Sequence, residues 1–79
     1  MNPEDFHGFR AEMNAKILAS GHKGLTRFFA LDTDAYRAGA LTARAKELMG
    51  LVGSLVLRCD DCVRYHLERA AEEGASREE

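Results

Sequence analysis

Helical periodicity is the feature that most limits what this chain can fold into. Apolar residues recur three or four positions apart in successive segments, and glycines close these segments near residues 20, 39 and 74. A single proline, no tryptophan and an apolar fraction of 46% argue against a disordered or all-β chain. We therefore predict an all-α protein of about four helices, forming one domain over residues 1–79.

Capping residues and apolar spacing predict the first two helices. Asn2, Pro3 and the acids that follow are typical of a helix start, and the first helix should stop near Ser20. The second helix is expected to end at Gly39, although the region of Thr33 is poor in helix formers. The predicted core-facing residues are Phe6, Phe9, Met13 and Ile17 in the first helix and Leu25, Phe28, Phe29 and Tyr36 in the second.

The third helix is predicted to end before the two cysteines of the chain, and the fourth helix to begin between them. Thr42 is the expected cap of the third helix, whose wide apolar surface from residue 48 onward predicts a buried helix. The small residues Gly50, Gly53 and Ser54 would let a neighbouring helix approach closely, in a central or inter-subunit position. The fourth helix begins with two acids after Cys59 and is predicted to stop at Gly74.

Charge and hydropathy exclude several classes of partner. The formal net charge is −2 with acids and bases interspersed, so no basic stripe is available for nucleic acid or for an anionic membrane. The N-terminus has no secretory pattern, and no apolar run reaches 18 residues. We expect a cytoplasmic protein. A chain this short buries only about 60% of the surface of its unfolded form, so a partner chain is expected to help stabilise it.

The stretch RCDDCVRYHLERA joins two thiols and an imidazole. At about 100° per residue, Cys59, Cys62 and His66 fall within roughly 60° of one helix face. Two cysteines three positions apart on a helical turn are close enough for a disulfide. A helix N-terminus favours the thiolate form, which applies to Cys59, and His66 could take a proton from Cys62. In a reducing compartment this spacing indicates redox or metal chemistry.

Other interpretations of these residues stay open on the sequence alone. The cysteines can be small packing groups, and a zinc site would lack its fourth ligand. Val63 follows the second cysteine where a c-type haem would need histidine. Glu47 lies at the border between the apolar and polar faces, and pairing with Arg44 or Lys46 at the surface is the favoured interpretation. His7 and His22 are assigned no role.

The second half of the chain carries a more specific pattern. An acid in KEL, an apolar helix, C-x-x-C-x-x-x-H and an alanine-rich turn follow one another from Leu41 to Glu79. This segment resembles the carboxymuconolactone decarboxylase-like family and, within it, the AhpD-like alkylhydroperoxidases. The resemblance implies a thiol peroxidase without flavin, haem or metal. Its partners would be a hydroperoxide substrate and a thiol reductant protein.

The resemblance also implies a role for each site residue. Cys62 would react with peroxide, Cys59 would resolve the product as a disulfide, His66 would act as base, and Glu47 would orient or relay protons. The order of attack stays open, because the helix terminus favours Cys59 as the more acidic thiol. Some family members carry a second histidine between the cysteines, where this chain has Asp60 and Asp61.

The resemblance finally bears on assembly and on the chain end. Family members form homo-oligomers, commonly trimers or hexamers, and the family domain continues with further helices. Ser76 and Glu79 have the spacing of a capping box, so we expect a C-terminal truncation. The alternatives are a non-catalytic relative that oligomerises and a decarboxylase. Decarboxylating members need not carry the cysteine pair.

Overall fold

The computed structural model describes residues 2–79, which form four α-helices and, in that range, no strand. The helices are α1 (Pro3–Ala19), α2 (Lys23–Ala35), α3 (Ala43–Val56) and α4 (Asp60–Glu72). The all-α prediction is confirmed. The chain divides into two compact units, one ending at Ala35 and the other spanning Tyr36–Glu79. No helix of the described chain is long and apolar enough to cross a membrane.

The helix α1 begins and ends where its capping residues predict. The Asn2 side chain accepts a hydrogen bond from the Asp5 amide at 2.8 Å, and Ser20 is the C-cap, followed by Gly21 with φ +75°. Its predicted core face is wrong at Phe9 and Met13, whereas Ile17 is half-buried. Phe6 is buried, but Phe9 is 48% exposed and Met13 is also exposed. A two-helix unit is too small to cover a full apolar stripe.

The helix α2 is shorter than predicted and begins with an unforeseen cap. His22 Nδ1 accepts a hydrogen bond from the Leu25 amide at 3.2 Å, so a histidine that was assigned no role caps this helix. The helix ends at Ala35 instead of Gly39, and Tyr36 lies outside it. Beyond Tyr36, the Arg37 carbonyl accepts a hydrogen bond from Lys46 Nζ at 2.6 Å, which ties this segment to α3.

The helices α3 and α4 form a hairpin with a three-residue connection. The Thr42 hydroxyl caps α3, as predicted, by accepting from the Ala45 amide at 3.1 Å. Arg58 has φ 57°, the left-handed conformation that ends many helices, and Cys59 then becomes the N-cap of α4. The two helices run antiparallel, because Glu47 near the start of α3 contacts Arg69 near the end of α4.

The prediction that α3 is a buried apolar helix is wrong for this chain. Four of its large apolar residues are exposed, with Val56 at 76%: Met49, Val52, Leu55 and Val56. Leu48 and Leu51 are half-buried. Glu47 and Ser54 are the buried residues of the helix. A hairpin covers one side of α3 only, and that side carries small and polar groups.

The end of the chain forms the local structure that its sequence indicates. Gly74 has φ +91° and stops α4, as predicted. The Ser76 amide donates to Glu79 Oε1 at 2.9 Å, and the Glu79 amide donates to Ser76 Oγ at 3.3 Å, which is a capping box. The hydrogen bond that the Ser76 amide donates lowers the pKa of the Glu79 carboxyl, and the positive charge of Arg44 lowers it further.

Candidate functional site

A buried carboxylate and an imidazole form the centre of the site. Glu47 on α3 is 2% exposed, and its Oε1 lies 2.8 Å from Nδ1 of His66 on α4. The interpretation of Glu47 as a surface residue is therefore wrong. The two expected surface partners of Glu47 make other contacts: Lys46 donates a hydrogen bond to the Arg37 carbonyl, and Arg44 pairs with Glu79. The hairpin brings together two groups that are 19 residues apart.

The hydrogen bond to Glu47 fixes which imidazole nitrogen is available. A carboxylate oxygen accepts, so Nδ1 of His66 must donate, and a neutral ring then carries its lone pair on Nε2. Within residues 2–79, Nε2 has no hydrogen-bond partner. Every buried side-chain nitrogen or oxygen of the described chain has a partner, so Nε2 is not a buried atom. Nε2 is therefore accessible and able to accept a proton.

Arg69 balances the second oxygen of the buried carboxylate. Its Nε lies 3.5 Å from Glu47 Oε2, while its two terminal nitrogens pair with Glu72 and Glu73. The Glu72 hydrogen bond raises the pKa of Arg69 most, partial burial opposes the rise, and Glu73 and the charge of Glu47 add to it. The guanidinium is therefore a permanent countercharge for Glu47.

Aromatic and glycine contacts surround the ring of His66. Tyr36 stacks on it with ring centroids 5.2 Å apart at 30°, and Tyr65 makes a tilted contact at 5.1 Å. Gly50 of α3 lies at the ring edge, where a Cβ atom would come within 2.8 Å of His66 Cε1. The imidazole is thus contacted on several sides, and its side chain is only 15% exposed.

The two cysteines form a disulfide at the start of α4. Their Cα atoms are 5.2 Å apart, in the range that the spacing predicted. Cys59 Sγ also accepts a hydrogen bond from the Cys62 amide at 3.3 Å, so this sulfur occupies the capping position of the helix. The expectation that Cys59 lies at the N-terminal edge is confirmed.

The structure brings the four predicted site residues into one hairpin, but as two pairs. No hydrogen bond joins His66 to either sulfur in the described range. Asp60 and Asp61 are exposed beside the disulfide. No cluster of three or more histidine, cysteine or acidic side chains that could hold a metal occurs among residues 2–79. The zinc alternative therefore gains no support.

Sequence reasoning missed three neighbours of the site. Gly50 follows Glu47 by one helical turn and Arg69 follows His66 by one turn, so helical spacing alone could have suggested both. Tyr36 had no such signal, because it was assigned to the core face of α2.

Comparison with known proteins identifies a family and two similar crystal structures. Residues 23–79 match the model of the carboxymuconolactone decarboxylase family. A crystal structure of TM1620 from Thermotoga maritima is 55% identical with a TM-score of 0.92, and the match covers 96% of this chain and 67% of that one. In a second crystal structure of TM1620 the identity is 54%, the TM-score 0.87, and the coverage 94% and 62%.

The second structure is described as a carboxymuconolactone decarboxylase family protein with a possible part in antioxidative response. The search of curated proteins returns no match. The present chain spans about two-thirds of the length of the Thermotoga protein. The match to the family model and the identity to TM1620 agree with the resemblance of the sequence, and the chain belongs to the carboxymuconolactone decarboxylase family.

Proposed function

We propose that this protein is a thiol-dependent peroxidase that cycles Cys59 and Cys62 between a dithiol and a disulfide. One observation carries the proposal: a closely spaced cysteine pair precedes, by one helical turn, an imidazole whose Nδ1 is bonded to a buried carboxylate. The antioxidative description of the related Thermotoga protein supports the same chemistry.

In the first step Cys62 is the nucleophile. Nε2 of His66 takes the thiol proton, and the thiolate attacks the terminal oxygen of a hydroperoxide. The O–O bond breaks, an S–O bond forms, and the proton passes to the departing alkoxide. Cys62 becomes a sulfenic acid and the hydroperoxide becomes an alcohol, so the sulfur loses the two electrons that the peroxide gains. The step needs no flavin, haem or metal.

In the second step Cys59 resolves the sulfenic acid. Its sulfur attacks Cys62 Sγ, the S–O bond breaks, and water leaves as the disulfide forms. An external dithiol then reduces the pair by thiol–disulfide exchange. Attack at Cys62 would release Cys59 as the thiolate, and the Cys62 amide that already bonds Cys59 Sγ would stabilise that leaving group. This reductant requirement favours a cytoplasmic location.

Peroxide consumption in the presence of a dithiol tests the proposal. The wild type should turn over and Cys62→Ser should not react. When the dithiol is left out, one equivalent of peroxide should give the Cys59–Cys62 disulfide in the wild type and a Cys62 sulfenic acid in Cys59→Ser. His66→Gln should lower the rate about 10²-fold or more, the usual contribution of a general base. His7→Gln on α1 is the matched control and should keep the wild-type rate. Equal consumption by wild type and Cys62→Ser would refute the proposal.

A second candidate is a non-catalytic relative whose main property is self-association. The exposed apolar side of α3 favours an assembly of identical chains, as trimers or hexamers. Self-association is also compatible with peroxidase activity, so we propose it for either function. Sedimentation velocity of the wild type and of Val56→Glu tests it. A monomer at micromolar concentration would contradict it.

A further inference from the structure

We propose that Tyr36 is a positioning residue that holds the imidazole of His66 against Gly50, so that Nδ1 stays on Glu47 and Nε2 stays available. The significance of this role for turnover rests on the proposed peroxidase function. The role itself is a statement about the ring of His66. It can therefore be measured without any peroxide.

The first support is the lack of space at Gly50. A Cβ atom at this position would lie 2.6 Å from Tyr36 Oη and 2.9 Å from His66 Nδ1, distances at which a neighbour must move. Only glycine lets the ring and the phenol approach α3 this closely. Gly50 also lies one helical turn after Glu47, so the carboxylate and the glycine meet the same ring from the same helix.

The second support is the distance along the sequence between Tyr36 and His66. Tyr65 is the residue before His66 on α4, so the helix itself brings these two rings together in their tilted contact. Tyr36 comes from 30 residues earlier, outside any helix, and still stacks on the imidazole at 30°. The hydrogen bond from Lys46 Nζ to the Arg37 carbonyl anchors the residue that follows Tyr36 to α3. The segment is thus tied to the helix that carries Glu47.

The contacts together restrict rotation of the ring. If the imidazole turned by half a revolution about its Cβ–Cγ bond, Nδ1 would leave Glu47 and a carbon would replace it. Stacking on Tyr36 at one face and the contact with Gly50 at the ring edge oppose this rotation. Without them the hydrogen bond to Glu47 alone would have to hold the orientation. Tyr36 therefore acts through His66 and does not itself touch the reacting atoms.

The test measures the imidazole tautomers by nitrogen NMR of the whole protein, at a pH where the histidines are neutral. In the wild type His66 should carry its proton on Nδ1. His22 is the internal reference, because its Nδ1 accepts from the Leu25 amide and its proton must therefore be on Nε2. Tyr36→Leu should move His66 to a mixture of tautomers and leave His22 unchanged. Tyr36→Phe keeps the ring and should keep the wild-type His66 signals.

Gly50→Ala gives an independent perturbation from the opposite side. It should also shift the His66 nitrogens, whereas Gly53→Ala should not, since a Cβ at Gly53 meets nothing within 4 Å. If Tyr36→Leu fails to fold, the Gly50 and Gly53 pair decides the question. Wild-type tautomers at His66 in Gly50→Ala, or in a folded Tyr36→Leu, would overturn the proposal.

Peroxide turnover separates this proposal from the proposed function. Displacement of a reacting group by about 1 Å can cost on the order of 10²-fold in rate, so Tyr36→Leu should lose up to that factor in the rate of Cys62 oxidation, and Tyr36→Phe should restore it. A tautomer shift in a protein whose wild type lacks turnover would support the positioning role and refute the peroxidase. Full turnover in Tyr36→Leu with unshifted tautomers would refute the positioning role alone.

Discussion

Gly50 and Gly53 both lie in α3, but replacing each with alanine should have opposite effects on the free energy of unfolding. Alanine stabilises a helix interior by about 1 kcal/mol relative to glycine, and both positions receive this gain. At Gly53 the new methyl group enters open space. Gly53→Ala should therefore raise the free energy of unfolding by about 1 kcal/mol.

At Gly50 the same methyl group meets the side chains of Tyr36 and His66 at less than 3 Å. Overpacking of this kind costs about 1–3 kcal/mol, which offsets the helical gain or exceeds it. Because the propensity term is common to both variants, it cancels between them. Gly50→Ala should be less stable than Gly53→Ala by about 1–3 kcal/mol, or roughly 4 °C or more in Tm for a domain of this size.

Urea denaturation of the wild type and both variants, followed by circular dichroism, gives the three free energies of unfolding. The difference between the variants is the quantity to examine, since it is independent of the helix-propensity scale. If Gly50→Ala matched or exceeded Gly53→Ala in stability, the close packing of Tyr36 and His66 on α3 would be refuted.

Three further predictions concern the backbone, the buried carboxylate and pH. Arg58→Gly should raise the free energy of unfolding by up to about 1 kcal/mol, because Arg58 has φ 57°, where glycine has no Cβ strain; urea titration measures it. Glu47→Gln should lower it by about 1.5–3 kcal/mol through loss of charged hydrogen bonding to His66, whereas the exposed Glu79→Gln should change it little. The hydrogen bond from the Ser76 amide lowers the pKa of the Glu79 carboxyl below its ordinary value. The capping box should therefore be fully formed above the ordinary pKa of a glutamate and should open as the pH falls through the lowered value of the folded state. Hydrogen exchange of the Ser76 amide, compared with that in Glu79→Gln, measures this opening.

Local signals in the sequence predicted where most of the helices begin. Asn2, Thr42 and Cys59 precede their helices and bond the amides three residues later, interactions that depend only on neighbouring sequence. The end of α2 was predicted four residues too late, at Gly39 instead of Ala35. The region of Thr33, which is poor in helix formers, lies just before the observed end, so the glycine was the weaker of the two local signals.

Burial was harder to predict than helix formation. Periodicity identified the apolar side of α3 correctly, but it does not say whether anything covers that side. The hairpin packs α4 against the side with Glu47, Gly50 and Ser54, and Val56 is left exposed. A carboxylate with helical neighbours of opposite charge is usually a surface group. The position of Glu47 at the border of the apolar face left partial burial open, and the resemblance gave it a role beside His66, which is 19 residues away.

The buried carboxylate is compatible with the fold because it is compensated from two directions. A charge in an apolar interior needs a partner and hydrogen bonds, and Glu47 has Arg69 at one oxygen and His66 at the other. Arg69 remains charged throughout, since three carboxylates raise its pKa. The Glu47 carboxylate therefore accepts from His66 Nδ1 at one oxygen while the Arg69 guanidinium balances the charge at the other. The hydrogen bond to Glu47 thus fixes the orientation of the imidazole and leaves Nε2 on the other side of the ring, as the proposed transfer of a proton from Cys62 requires.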